Sequence, residues 1–242
     1  MKTKSLSIFL VALFVVEMNL GAEEDNNENK EGEKFEYEKM NGDFFGFNFS
    51  LKTVLVGDIN VGKSALIKKI CKNTFPEEYS PTVGVEYLPL DFKIVSDKKK
   101  PVLKYQIWDS SGQEHYRIII RNFYKNARVC LLAYDVTDEK SFNDIDVWLK
   151  EAKEESSDGI EHFILIGNKI DLEKERKISK ENGEKFAKEN DMEFVEVSAK
   201  TGEGIKELEY ILAKIIYKEF KEKNKKKDES DENCCEKICC NC

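Results

Sequence analysis

The segment GDINVGKS, Gly57–Ser64, carries two glycines, a lysine and a hydroxyl at the spacing G-x-x-x-x-G-K-[ST]. A loop of that composition turns successive backbone N–H groups inward around a phosphate. Gly57, Asn60, Val61 and Gly62 supply the loop, and Gly62 lets the backbone come close. Lys63 is placed to bridge the β- and γ-phosphates as a point charge, and the Ser64 hydroxyl to bind Mg²⁺. Further along stands NKID, Asn168–Asp171, after the apolar run Phe163–Gly167. Asp171 can accept hydrogen bonds from guanine N1–H and the 2-amino group together, a donor pair that adenine lacks. Asn168 can bond the base edge, and the Lys169 stem can cover the ring. SAK, Ser198–Lys200, follows another strand-like run and offers the Ala199 N–H to guanine O6. Each of the last two motifs is weak alone; in this order and on successive strands they specify a guanine nucleotide.

The remaining chemistry lies between these motifs. WDSSGQE, Trp108–Glu114, places Asp109 to hold Mg²⁺ through water, the Gly112 N–H to sense a γ-phosphate, and Gln113 to orient an attacking water. Thr82, in SPTVGVEY, is a further hydroxyl for Mg²⁺ when the γ-phosphate is present. Read by itself, Thr82 would be a surface turn residue after Pro81. Loss of that phosphate would release both segments, an order–disorder switch.

Elements that could hold these residues follow from apolar patterning. Leu51–Val56 reads as a strand, Ser64–Cys71 as a helix, and Tyr87–Val95 and Val102–Trp108 as a hairpin across Ser96–Lys100. A helix near Tyr116–Tyr124, a strand Val129–Tyr134, a helix Ser141–Glu155 and a strand His162–Gly167 come next. Ser179–Glu189, Glu193–Val197 and Ile205–Phe220 complete the series as helix, strand and helix. This alternation predicts an α/β fold of three layers: a six-stranded, mostly parallel sheet with one antiparallel edge strand and helices on both faces. Four regions are expected: an apolar leader resembling a signal peptide at 1–22, an acidic disordered linker at 23–46, the nucleotide domain at 47–221, and a tail at 222–242.

Composition narrows the class. A formal charge of −8 argues against nucleic-acid binding, which needs a basic face. The two histidines, His115 and His162, argue against a His-based metal site. Five of the seven cysteines fall in the last nine residues, so a disulfide scaffold is not the expectation. Six lysines between 218 and 227 could meet anionic lipid, although Asp228, Glu229, Asp231 and Glu232 follow them.

GDINVGKS, TVGVEY, WDSSGQE, YDVTDEKSF, NKID and SAK occur in the order of Ras-superfamily GTPases, and IWDSSGQEHYR, RNFYKNA and YDVTDEKSFNDIDVWLKE resemble the Rab branch. The resemblance covers about Phe49–Phe220. It implies GTP/GDP binding with Mg²⁺, hydrolysis of GTP, and regulation of vesicle traffic through an exchange factor, a GTPase-activating protein and effectors at the switch segments. The terminal Cys240-Asn241-Cys242 resembles doubly geranylgeranylated Rab ends, which implies prenylation and escort machinery and the cytosolic face of intracellular membranes. The leader conflicts with that location and leaves entry into the secretory pathway, as a lumenal nucleotide-binding protein, open. Ile59 departs from the family, in which that position is small or polar. It points to slow hydrolysis, and so to a GTP-bound scaffold as the alternative role. Asn60 replaces a usual glycine, a substitution that positive φ should tolerate.

Overall fold

The computed structural model describes residues 35–40, 46–76, 82, 84–110, 117–156 and 159–239, with backbone only at 117–120 and 228–239. Seven strands form one sheet: β1 (Tyr37–Met40), β2 (Phe49–Val56), β3 (Val85–Ile94), β4 (Val102–Ser110), β5 (Val129–Asp135), β6 (His162–Asn168) and β7 (Glu193–Val197), in the order β1-β3-β4-β2-β5-β6-β7. β4, β2, β5, β6 and β7 run parallel, whereas β3 is antiparallel to both its neighbours. Among the described residues six α-helices accompany the sheet: α1 (Lys63–Lys72), α2 (Arg117–Tyr124), α3 (Glu139–Asn143), α4 (Ile145–Glu155), α5 (Lys180–Glu189) and α6 (Ile205–Cys239), with a 3-10 turn at Ile170–Glu175.

The parallel strands are apolar on both faces because each face is covered by helices. On one side Leu51, Leu55, Leu131 and Ile164 meet Leu66, Ile67 and Ile70 of α1 and Leu208, Leu212 and Ile216 of α6. On the other, Val54, Val56, Cys130, Leu132 and Leu165 meet Trp148, Leu149 and Ala152 of α4 and Ala187 of α5. Alternation along β2 and β5 assigns neighbouring residues to opposite cores.

Three sequence expectations change. The sheet has seven strands, not six, because part of the segment read as a linker is strand β1, paired with β3 from Tyr37↔Ile94 to Met40↔Asp91. Phe35, Tyr37 and Lys39 alternate inward, with Glu36 and Glu38 exposed. Phe35 packs on Tyr210 and Tyr217 of α6, while Lys39 donates to Glu209 Oε1 (2.6 Å) and the Ile70 carbonyl (2.8 Å). β3 is therefore not the edge strand. The single helix expected over 141–155 is two, with Asp144 accepting Val147 and Trp148 N–H groups at the joint and donating its own N–H to Lys140 O. Finally, α6 runs nineteen residues beyond Phe220, where the apolar stripe ends but Lys and Glu, good helix formers, continue. The leader lies outside the described residues.

Candidate guanine-nucleotide site

The C-terminal ends of β2, β4, β5, β6 and β7 lie along one edge, where open α/β sheets bind ligands. Each delivers one part of the site.

β2 ends in the loop Gly57–Gly62 and α1 starts at Lys63. Gly57 has φ +141, and a Cβ there would stand 2.1 Å from the Ala133 carbonyl oxygen, so the loop passes directly against β5. Asn60 adopts φ +66, as its side chain permits. Gly62 caps α1 at φ +91 without any side-chain cap, which leaves the first N–H groups of the helix available to an anion. Lys63 is 5% exposed and donates to the Gly57 and Asp58 carbonyls, both at 2.8 Å. Burial lowers its ammonium to about 8, with Asp109 and Asp58 opposing that shift. Asp58 in turn accepts from Trp148 Nε1 (2.8 Å) and lies 3.5 Å from Lys140, which fastens the loop to α3 and α4.

β4 carries Asp109, which is fully buried, and neither of its carboxylate oxygens has a hydrogen-bond partner among the described residues. Burial pushes its carboxyl up to about 6, and neighbouring Ser64 and Lys63 pull it back. Ser64 Oγ and Thr82 Oγ1 are 2.6 Å apart. A buried, unpartnered carboxylate beside two hydroxyls is a set of hard oxygen donors suited to Mg²⁺.

β6 ends at Asn168, 1% exposed, whose amide joins two loops: Nδ2 donates to the Val61 carbonyl (2.8 Å) and Oδ1 accepts the Ala199 N–H (3.2 Å). The next residue, Lys169, is left-handed at φ +68 and its Nζ pairs with Asp135 Oδ2 at 2.5 Å. Asp171 accepts from Ser198 Oγ (2.6 Å), and that oxygen also accepts the Thr201 N–H (3.0 Å). Ser198 and Ala199 are buried, whereas Lys200 is exposed.

Of the residues expected at the site, Gly57, Asn60, Val61, Gly62, Lys63, Ser64, Thr82, Asp109, Asn168, Lys169, Asp171, Ser198 and Ala199 converge on this edge, with Lys200 at its rim. Gly112, Gln113, Cys240 and Cys242 lie outside the described residues. Asp135, Asp58 and Trp148 were not singled out from sequence. Asp135 had a signal, as a carboxylate at the end of an apolar strand. Ser110, at the end of β4, is buried and donates to Leu55 O (2.7 Å), which ties β4 to β2 beside the phosphate loop.

Comparison with known proteins gives the family. Residues 52–218 match the Ras family model. The chain is 39% identical over 171 residues to the dog Ras-related protein Rab-13, covering 70% of this chain and 81% of that relative. It is 37% identical to the GTP-binding protein ypt2 of Schizosaccharomyces pombe, covering 72% and 84%. The Ras-related protein SEC4 of Candida albicans is 36% identical, covering 74% and 82%. A family match across most of the chain, with relatives of that likeness along most of their own length, makes this chain a Rab-type small GTPase of the Ras family.

Proposed function

We propose that this GTPase is a GTP/GDP switch in vesicle-mediated membrane traffic, with the residues above in the following roles. The observation that carries the reading is the convergence, on one sheet edge, of a phosphate loop, an oxygen trio and a base-binding pair of loops. Backbone N–H groups of Gly57–Lys63 cradle the phosphates, and Lys63 leaves its two carbonyl acceptors to meet the β- and γ-phosphates. Ser64, Thr82 and Asp109 hold Mg²⁺, which supplies charge neutralisation to the phosphates. Asp171 and Ala199 read the guanine edge, Asn168 holds both base loops against the phosphate loop, and the Lys169 stem covers the ring. Ser198 positions Asp171. Gln113 orients the attacking water and Gly112 senses the γ-phosphate.

Exchange factors, activating proteins and effectors engage the segments around Thr82 and Gln113, and prenyl groups on Cys240 and Cys242 attach the protein to cytosolic membrane faces. Ile59, 46% exposed at the mouth of the phosphate loop, favours slow intrinsic turnover and hence a long-lived GTP state.

The test is competition for bound fluorescent GDP, followed by single-turnover hydrolysis. GTP should displace GDP while ATP does not, and release should accelerate when Mg²⁺ is chelated. Equal displacement by ATP would overturn the assigned base contacts. Intact mass of the native protein, with two prenyl groups or with free C-terminal thiols, decides the membrane attachment.

A further inference from the structure

The turn that carries Asp171 leaves β6 at Asn168 and ends at Arg176. Its entry is held by Asn168, which bonds the Val61 carbonyl and the Ala199 N–H. Its exit is held by a guanidinium. Arg176 Nη1 and Nη2 donate to the two carboxylate oxygens of Glu196, at 2.6 and 3.1 Å, a parallel pair of charge-assisted bonds. Nη1 also donates to the Ile178 carbonyl (3.1 Å), and Nε to Glu173 (2.8 Å). The side chains of Arg176 and Glu196 are shielded, at 17% and 11% exposed, whereas Glu173 is 71% exposed and adds little.

Glu196 stands on β7, two residues before Ser198 and directly opposite Gly167 of β6. That neighbour explains its pose. A Cβ at Gly167 would lie 3.3 Å from Glu196 Cγ and 2.8 Å from the Tyr134 hydroxyl, so the bare glycine leaves the room in which both side chains lie against β6. Beyond the fork, the Lys177 and Ile178 N–H groups both donate to the Val136 carbonyl (2.9 and 3.0 Å), just past the end of β5. The Asp171 turn is thus tied to β7 and the loop after it at three points: Glu196 at its exit, Ser198 Oγ at Asp171 itself (2.6 Å), and Ala199 at its entry.

We propose that Arg176 is a positioning residue for base recognition: its fork on Glu196 locks the turn bearing Asp171 to the strand leading into Ser198 and Ala199, so that both loops meet guanine at a fixed separation. The proposal rests on the assignment of Asp171 and Ala199 to the base in the reading above. Asp171 accepts the N1–H and the 2-amino group together, and two bonds to one carboxylate demand orientation as well as reach. With its exit freed, the turn still offers an acceptor but no longer aims it. Lysine would keep the charge and lose the planar fork, so the role belongs to the shape of the guanidinium.

The experiment measures the affinity of the full chain for GDP, for inosine diphosphate, which lacks the 2-amino group, and for ADP. Arg176→Lys should weaken GDP binding roughly tenfold and inosine diphosphate binding about threefold or less, so the preference for GDP over inosine diphosphate shrinks. Glu196→Gln, which keeps an acceptor in the same place, is the milder change; it should shift the same preference and supplies the readout if the lysine variant loses its fold. The double variant should be no weaker than the worse single one. Equal losses for GDP and inosine diphosphate would make the pair a brace without a role in reading the base and would overturn the proposal, as would unchanged affinities or additive losses. A parent chain that binds ADP as tightly as GDP would instead refute the base assignment itself.

Discussion

Replacing Asn168 with alanine should separate the phosphate loop from the base loops. The side chain is 1% exposed and satisfies two buried backbone groups, the Val61 carbonyl at 2.8 Å and the Ala199 N–H at 3.2 Å. Each group left without a partner costs about 1–3 kcal/mol, so the total is about 3 kcal/mol. For a domain of this size that lowers the unfolding midpoint by roughly 10 °C. Because both loops also hold the nucleotide, GDP dissociation should accelerate on the order of 100-fold. Circular dichroism melts of nucleotide-free protein give the first number and stopped-flow release of fluorescent GDP the second. A Cβ at Gly62 would lie 2.5 Å from Asn168 Nδ2, so Gly62→Ala and Asn168→Ala should together cost less than their sum. A nucleotide-free midpoint within about 2 °C of the parent would refute the idea that these two bonds tie the loops.

Ile59→Gly should speed single-turnover hydrolysis by roughly tenfold, or about 1.4 kcal/mol off the barrier, and an unchanged rate would remove Ile59 as the cause of slow turnover. Asp109→Asn removes a buried, unpartnered charge; nucleotide-free stability at neutral pH should rise by about 1–3 kcal/mol while Mg²⁺ ceases to slow GDP release, as read by denaturant titration and chelation. Lys39→Ala leaves the buried Glu209 carboxylate with Lys206 as its remaining cation. It should cost about 2 kcal/mol in denaturant unfolding without altering GDP affinity, and equal stability would show that β1 does not brace α6.

The site was legible because phosphates and guanine impose residue types at fixed spacing, and because each motif follows an apolar strand that ends at the same edge. What escaped were features made by pairing across the fold. β1 and its lead-in have three alternating inward positions, Phe35, Tyr37 and Lys39, within a run of glutamates, so the alternation is masked by charge; the strand gains its partners from β3 and α6. The joint at Asp144 was hidden because Phe142, Ile145, Trp148 and Leu149 keep one continuous helical stripe. The extension of α6 follows propensity after amphipathicity has stopped. The pairing of Lys169 with Asp135 joins the ends of adjacent strands and has no local signature.

β1 also imposes an order on biosynthesis. Its hydrogen-bonding partner β3 emerges from the ribosome early, but Lys39 and Glu209 are separated by 170 positions. The strand can reach its full set of contacts only once nearly the whole chain has been made. Until then the inward side of β1 stays uncovered, the kind of apolar surface on which partly folded chains associate. Completion of α6 covers Phe35, Tyr37 and Lys39 on the inward side of β1, so among the described residues the first strand is secured by the last helix.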